Sequence, residues 1–369
     1  MVISTTAPRE PVALGDIPSK SVVPPGTDVR PEADVPPEAD VQLAAAAVDG
    51  QAGRAVELAR RIGRWLPLPG GGRTATRWRL LSAVAAGDLT AARVVEAHTD
   101  ALAILAEART DADVESFQVP DDSTWGVFAA EGGGTRLDAA RAGDGWVLTG
   151  SKPWGSLAGR LTHALITAHT GGARRLFAVE LSNPAVRTDE TGWVARGLAD
   201  VPSGVVRLDG CPAVPVGTDD WYLRRPGFAW GGIGVAACWY GGAVGVSRRL
   251  RDAATAREPD QIALMHLGAV DAALSAARTL LAAAAADVDA GAANGPAGSL
   301  LAARVRTVVA GAAEDVLRRV GHALGPAPLA LELPHARRVA DLELYLRQHH
   351  AERDEAALGA RVLTLNEWP

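Results

Sequence analysis

The sequence is poor in cysteine: Cys211 and Cys238 are the only two in 369 residues. Two cysteines build neither a disulfide framework nor a cysteine-ligated metal cluster, and they suit a reducing, cytoplasmic setting. Lysine is as scarce, with only Lys20 and Lys152, so arginine supplies nearly all the cationic groups. An excess of positive charge is also missing. The formal net charge of −6 excludes the broad basic field that nucleic-acid binding needs. Apolar runs of bilayer length are absent as well; Ala282 to Ala286 is followed by acidic residues long before about 20 residues accumulate, so no membrane span is expected. Met1 to Ser19 lacks a basic start followed by an apolar core, and no secretion signal is expected there. No G-x-x-x-x-G-K-[ST] loop or strand–G-x-G-x-x-G–helix unit occurs, which removes the common phosphate-binding loops. His349 and His350 are adjacent and so make a poor metal chelate.

What is present is an ordinary globular composition, 48% hydrophobic and 22% charged, long enough for two or three packed units. Residues 1–40 are rich in proline and acid and carry no apolar period, which predicts a flexible lead-in. Residues 41–118 read as a helical domain. Breaks fall at 66–72 and at Gly87-Asp88, and the last helix, about 90–108, carries Val94, Val95, His98, Leu102 and Leu105 along one face. Residues 119–220 read as an antiparallel β domain. Its short apolar runs, at 127–130, 146–149, 163–168, 176–181 and 205–208, are separated by glycine and aspartate turns. The proline-bounded segment 211–217 is expected to close the sheet. Residues 221–369 read as a four-helix bundle, with long helices from Gly227, from Asp260 and from Leu300, and a last one across 335–359.

The most informative stretch is Trp125 to Ala168. It holds Ala130-Glu131-Gly132-Gly133-Gly134-Thr135, a Gly143-Asp144-Gly145 turn, and then G-W-x-L-x-G-x-K-x-W-x-S from Gly145 to Ser156. On an extended segment Trp154 and Ser156 alternate and so share a side. These two motifs, within a helical–β–helical order that spans residues 41–363, resemble the acyl-CoA dehydrogenase family, a group of flavoproteins. The resemblance implies an α+β fold with an N-terminal helical domain, a central β domain and a C-terminal four-helix bundle. It implies FAD, or FMN in a monooxygenase. Trp154 would pack against the flavin ring, Ser156 would bond flavin N5, and Glu131, Gly133 and Thr135 would line the cleft. Gln261 stands where the family has a glutamine. Gly321 and Gly325 resemble the turn that meets the adenosine part of FAD; the plainer alternative is a helix C-cap.

The family desaturates acyl thioesters, with a carboxylate removing the α-proton while hydride passes to N5. That glutamate is missing here. The position after the last tyrosine motif, matched through Asp341 and Tyr345, holds His349, and Phe228 to Tyr240 contains no acid. Glu343, Glu352 and Asp354 are neighbours in sequence only. The branch that resembles dibenzothiophene monooxygenase lacks the glutamate too and carries histidines in the last helix and on an N-terminal helix. His349 and His98 correspond to these and are the candidate catalytic residues, imidazole being suited to proton transfer near neutrality. The alternative for each is a capping or satisfied interior histidine. The leading expectation is an FAD-dependent dehydrogenase of an acyl-CoA or acyl-carrier substrate with an electron acceptor; the alternatives are a monooxygenase fed by a flavin reductase and a non-catalytic binding subunit. The expected assembly is a homodimer or homotetramer.

Overall fold

The computed structural model describes residues 35–111, 119–132 and 134–365. The expected flexible lead-in therefore lies almost wholly outside the described residues. The described residues begin with four helices: α1 (Glu38–Ala46), α2 (Ala52–Gly63), α3 (Thr74–Gly87) and α4 (Leu89–Asp111). The single helical pattern expected from Val41 to about Trp65 is split in two. Asp49 and Gly50 adopt φ of 52° and 72°, and the Gly50 N–H is taken by Asp88 Oδ2 at 2.9 Å. α4 is buried on most of its circumference, from Ala91 and Ala92 through Val95 to Ile104. A helix buried in this way can place polar side chains at interior sites only with partners.

Seven strands follow: β1 (Trp125–Phe128), β2 (Leu137–Ala142), β3 (Gly145–Ser156), β4 (His163–His169), β5 (Arg174–Glu180), β6 (Val186–Asp189) and β7 (Ser203–Val216). They pair in the order β1-β4-β2-β3-β7-β5, and an additional β4–β5 pairing closes the sheet into a small barrel. The expectation of a purely antiparallel sheet needs correction. β1 runs parallel to β4, with Trp125 opposite His163, and β2 touches β4 in parallel through Asp138 and His169. The β2–β3 hairpin lies between β1 and β4 in sequence, so the chain re-enters beside β1 in the same direction. β2 and β6 were not expected from the sequence. The proline-bounded segment does seal the barrel, as the end of β7: Val147 faces Pro212 and Phe177 faces Pro215.

The C-terminal part holds a short α5 (Trp221–Arg224), three long helices α6 (Pro226–Ala256), α7 (Gln261–Asp289) and α8 (Gly295–Leu324), a short α9 (Ala327–Leu331), α10 (Leu333–Tyr345) and α11 (Glu352–Val362). α6 packs on α3, α4, α7, α8 and α10. Its glycines allow this close approach: a Cβ on Gly241 would lie 2.1 Å from the Ser82 carbonyl oxygen. Among the described helices α7 alone is long and apolar enough to cross a membrane, but it is packed against α3, α6 and α8.

The single last helix expected over 335–359 is two helices. After α10 the chain tightens into a 3-10 turn at Leu346–Gln348, and Ala351 takes φ 49° before α11 starts. Asp354, in the first turn of α11, accepts the His350 N–H at 3.1 Å and so ties the break to the restarted helix.

Candidate active site

β3 carries two register shifts against β7, one between Leu148 and Gly150 and one between Lys152 and Gly155. The second shift changes the expected geometry at Trp154 and Ser156. Regular alternation fails there, because a bulge adds a residue and re-aims the side chains that follow. Trp154 takes φ 60°, a left-handed conformation that costs a non-glycine residue roughly 1 kcal/mol or more. Its ring is 61% exposed, and among the described residues no hydrogen bond or ring contact engages it. Ser156 is half-buried beside it, at the end of the strand.

Ser156 is the outer member of a polar chain that runs into the protein. Its Oγ is 2.8 Å from Ser203 Oγ, and Ser203 in turn donates to the Val201 carbonyl at 3.2 Å. From α4, Arg93 Nη2 donates to Ser156 Oγ at 3.2 Å, while its Nη1 donates to Glu96 Oε2 at 3.1 Å. The Tyr345 hydroxyl, at the end of α10, donates to the same Glu96 oxygen at 3.2 Å. Burial pushes the Glu96 carboxyl upward, and Arg93 pulls it back down. Neither Arg93 nor Glu96 stands out in the sequence. They sit on the edge of α4 away from the apolar stripe that runs through His98, three residues apart and so on one face.

The other candidates are placed as follows. His98 is buried against β1: its Nδ1 accepts the Trp125 N–H at 3.2 Å, which assigns the ring proton to Nε2. A Cβ on Gly63 of α2 would stand 2.5 Å from that Nε2. Burial alone lowers the His98 pKa to about 4, so the ring is neutral. The helix turns His98 away from Arg93 and Glu96, and the structure does not bring it to Ser156. His349 is also buried, packed edge-on against Trp239 with ring centroids 6.2 Å apart. Its Nε2 is 3.4 Å from Thr307 Oγ1 and 3.8 Å from Asp354 Oδ2. Burial lowers its pKa, against the pull of Asp354. Both His349 and His350 lie in the break before α11 and share Asp354.

Glu131 stands at the mouth of the barrel and accepts from Lys152 Nζ at 2.6 Å, with His169 and Arg174 3.5 and 3.6 Å away. Thr135 Oγ1 donates to the Gly132 carbonyl at 2.7 Å, closing the turn of that loop. Gly133 lies outside the described residues. Gly132 and Gly134 have open space where a Cβ would stand. Gln261 is exposed at the first turn of α7. Gly325 ends α8 with φ 67°, its N–H on the Gly321 carbonyl at 2.9 Å, so it serves as a C-cap. Gly321 lines a groove of about 520 Å³ between α8 and α10 that also holds Arg318, His335 and Arg347. That groove does not include the Trp154–Ser156 edge.

The helices that flank a small barrel closed by β4, β2, β3, β7 and β5, with β1 and β6 added at its edges, define the class: this chain has the acyl-CoA dehydrogenase fold. Glutaryl-CoA dehydrogenase from Mycobacterium smegmatis matches over 90% of this chain and 96% of its own, with TM-score 0.73 and 20% identity. FMN-bound TdsC from Paenibacillus sp. A11-2, a dibenzothiophene monooxygenase, matches over 90% and 97%, with TM-score 0.75 and 15% identity. KijD3 in complex with FMN and dTDP-3-amino-2,3,6-trideoxy-4-keto-3-methyl-D-glucose matches over 89% and 92%, with TM-score 0.72 and 19% identity. No protein-family model and no curated protein matches the sequence.

Proposed function

We propose that the protein is a flavin-dependent oxidoreductase whose flavin ring lies against the Trp154–Ser156 edge of the barrel. The observation that carries this reading is the combination of a strained, exposed tryptophan with a hydroxyl whose oxygen already receives Arg93. A flat heteroaromatic ring with acceptor nitrogens fits both: Trp154 offers a face, and Ser156 offers a proton. KijD3 and TdsC, which share this fold, bind FMN. When bound, the flavin supplies two-electron redox chemistry. Glu131, Gly133 and Thr135 are assigned to the cleft wall in this reading. Gln261, Gly321 and Gly325 are assigned to the adenosine end of FAD; FMN has no such end, so substitutions there separate the two cofactors.

Monooxygenation with reduced flavin and oxygen, supplied by a flavin reductase, is the favoured reaction. The position matched to the family base holds His349, buried beside Asp354, and the α6 segment from Phe228 to Tyr240 offers no acid. One observation favours the second reading, dehydrogenation of an acyl-CoA or acyl-carrier substrate: Glu96 is a buried carboxylate two hydrogen bonds from Ser156. The expected assembly is a homodimer or homotetramer, supported by the exposure of Ile262, Leu264 and Met265 on α7. A cytoplasmic location is supported by two buried, unpaired cysteines.

The test is the visible spectrum of the purified protein before and after added FMN or FAD. Bound flavin is expected, with weaker binding in Trp154→Ala. A colourless protein that takes up neither flavin overturns the proposal. Oxygen uptake by reduced flavin-loaded protein, against anaerobic bleaching by a panel of acyl-CoA thioesters, then separates the two reactions.

A further inference from the structure

Resting on the flavin reading above, we propose that Arg93 and Glu96 form a charge-balanced pair that sets, through Ser156, how strongly the site prefers oxidised over reduced flavin.

The geometry leaves little freedom at Ser156. Arg93 donates to its oxygen at 3.2 Å, and the neighbouring Ser203 has a carbonyl acceptor for its own proton at 3.2 Å. With the Ser203 proton on Val201, Ser156 donates to Ser203; when Ser203 instead turns its single proton to Ser156 Oγ, 2.8 Å away, the Ser156 proton is freed for a ligand acceptor such as the unprotonated N5 of oxidised flavin. Arg93 is held in place from behind. Glu96 Oε2 takes its other amino group at 3.1 Å and the Tyr345 hydroxyl at 3.2 Å. The side chains of the pair are only 16% and 11% exposed, so solvent screens them weakly.

Reduced flavin carries more negative charge than oxidised flavin. A lone guanidinium beside the ring would favour the reduced form, and a lone carboxylate would favour the oxidised form. Together the two opposite charges, 3.1 Å apart, largely offset each other outside the pair, leaving the hydrogen bond through Ser156 as the main influence. The other groups that act on Glu96 are Asp100 on α4, Arg77 on α3 and Tyr345 on α10, with Cys238 of α6 adjoining Tyr345. These surround the pair without replacing either member.

The test uses the full-length protein at pH 8. Dissociation constants for oxidised FMN and FAD, and for the same flavins reduced anaerobically with dithionite, are measured for the wild type, Arg93→Gln, Arg93→Lys, Glu96→Gln and the Arg93→Gln/Glu96→Gln double variant. Glu96→Gln keeps the size and acceptor oxygen of the side chain, and thermal unfolding confirms that each variant is folded. Glu96→Gln is expected to shift the ratio of the two constants about tenfold toward reduced flavin. Arg93→Gln shifts it in the opposite direction, Arg93→Lys restores most of it, and the double variant returns to within about threefold of the wild type. A purely structural role would change both constants by the same factor in every variant, and that result overturns the inference while leaving the flavin site standing. A wild type that binds neither form of either flavin overturns the site itself, and this inference with it.

Discussion

Two ion pairs, each with a buried member, lie at either side of β3, and they do different work. Lys152 is 2% exposed, and its side chain crosses from β3 to β4, which do not pair with each other, so it fills the barrel interior. Its ammonium is fixed by Glu131 at 2.6 Å and Thr167 at 2.8 Å, and every partner belongs to the barrel or its rim. Arg93 and Glu96 are buried nearly as well, but their chain of hydrogen bonds ends at the half-buried Ser156, next to an exposed tryptophan ring. Buried charge with satisfied partners thus marks a network, and its outlet to a reachable polar atom marks a site. Lys152 belongs to the same sequence motif as Trp154 and Ser156, yet its role is to hold the strand that presents them.

This contrast can be broken by removing one charge from each pair. Glu131→Ala leaves the Lys152 ammonium in the barrel with Thr167 alone. It is expected to cost about 3 kcal/mol of stability in a urea titration, whereas Lys152→Met, which leaves only a partly exposed Glu131, costs less. If the two variants lost equal stability, the barrel pair would not be an asymmetric interior plug. Glu96→Gln, by comparison, is expected to change stability by about 1 kcal/mol and to act on flavin preference instead.

The seam between α10 and the barrel domain gives the next effect in size, through pH. Asp341 Oδ1 accepts the Leu198 N–H at 2.6 Å, and burial raises its pKa to about 6. A carboxyl raised on folding stabilises the fold while protonated. The contribution is complete below the ordinary value near 3.8 and is lost as pH rises through 6. Asp341→Asn keeps an acceptor oxygen without the charge. It is expected to be more stable than the wild type by about 2 kcal/mol above pH 6, and equal to it below pH 4. Parallel pH–stability curves for the two proteins would exclude Asp341 as the titrating group.

The long elements were legible in the sequence because burial imposes its period over many turns. α6, α7 and α8 were anticipated, and so were the hairpin turn at Gly143 and the cap at Gly325, where φ of 59° and 67° call for glycine. β2 was hidden because its run, Leu137 to Ala142, is mostly alanine and polar residues that sit outward, with only Leu137 buried. The break at His349 to Ala351 was hidden for another reason. No glycine or proline marks it; an alanine takes the positive φ, and the bond that holds the break comes from Asp354 downstream. The motif located Trp154 and Ser156, but it could not disclose the bulge between them and β7, which is a matter of register. Arg93 and Glu96 were out of reach because their importance arises only when β3 arrives beside α4.

The smallest expected effect bears most directly on what the strained edge is for. Trp154 combines a left-handed φ of 60° with 61% exposure, so the fold receives little burial in return for the strain. Glycine adopts that conformation freely, and in an unfolded chain it costs some entropy. The two terms oppose each other, and relief of roughly 1 kcal/mol or more of αL strain is expected to exceed the entropy term, since the lost apolar contact is small. Trp154→Gly should therefore unfold at a slightly higher denaturant concentration than the wild type while binding flavin at least about tenfold more weakly, because the ring face is gone. Ser156→Ala should leave stability unchanged and weaken oxidised flavin about fivefold, the worth of one hydrogen bond. A Trp154→Gly protein that lost stability and kept its flavin affinity would mean that the tryptophan serves the fold, and the outlet of the Arg93–Glu96 chain would then have no ligand to serve.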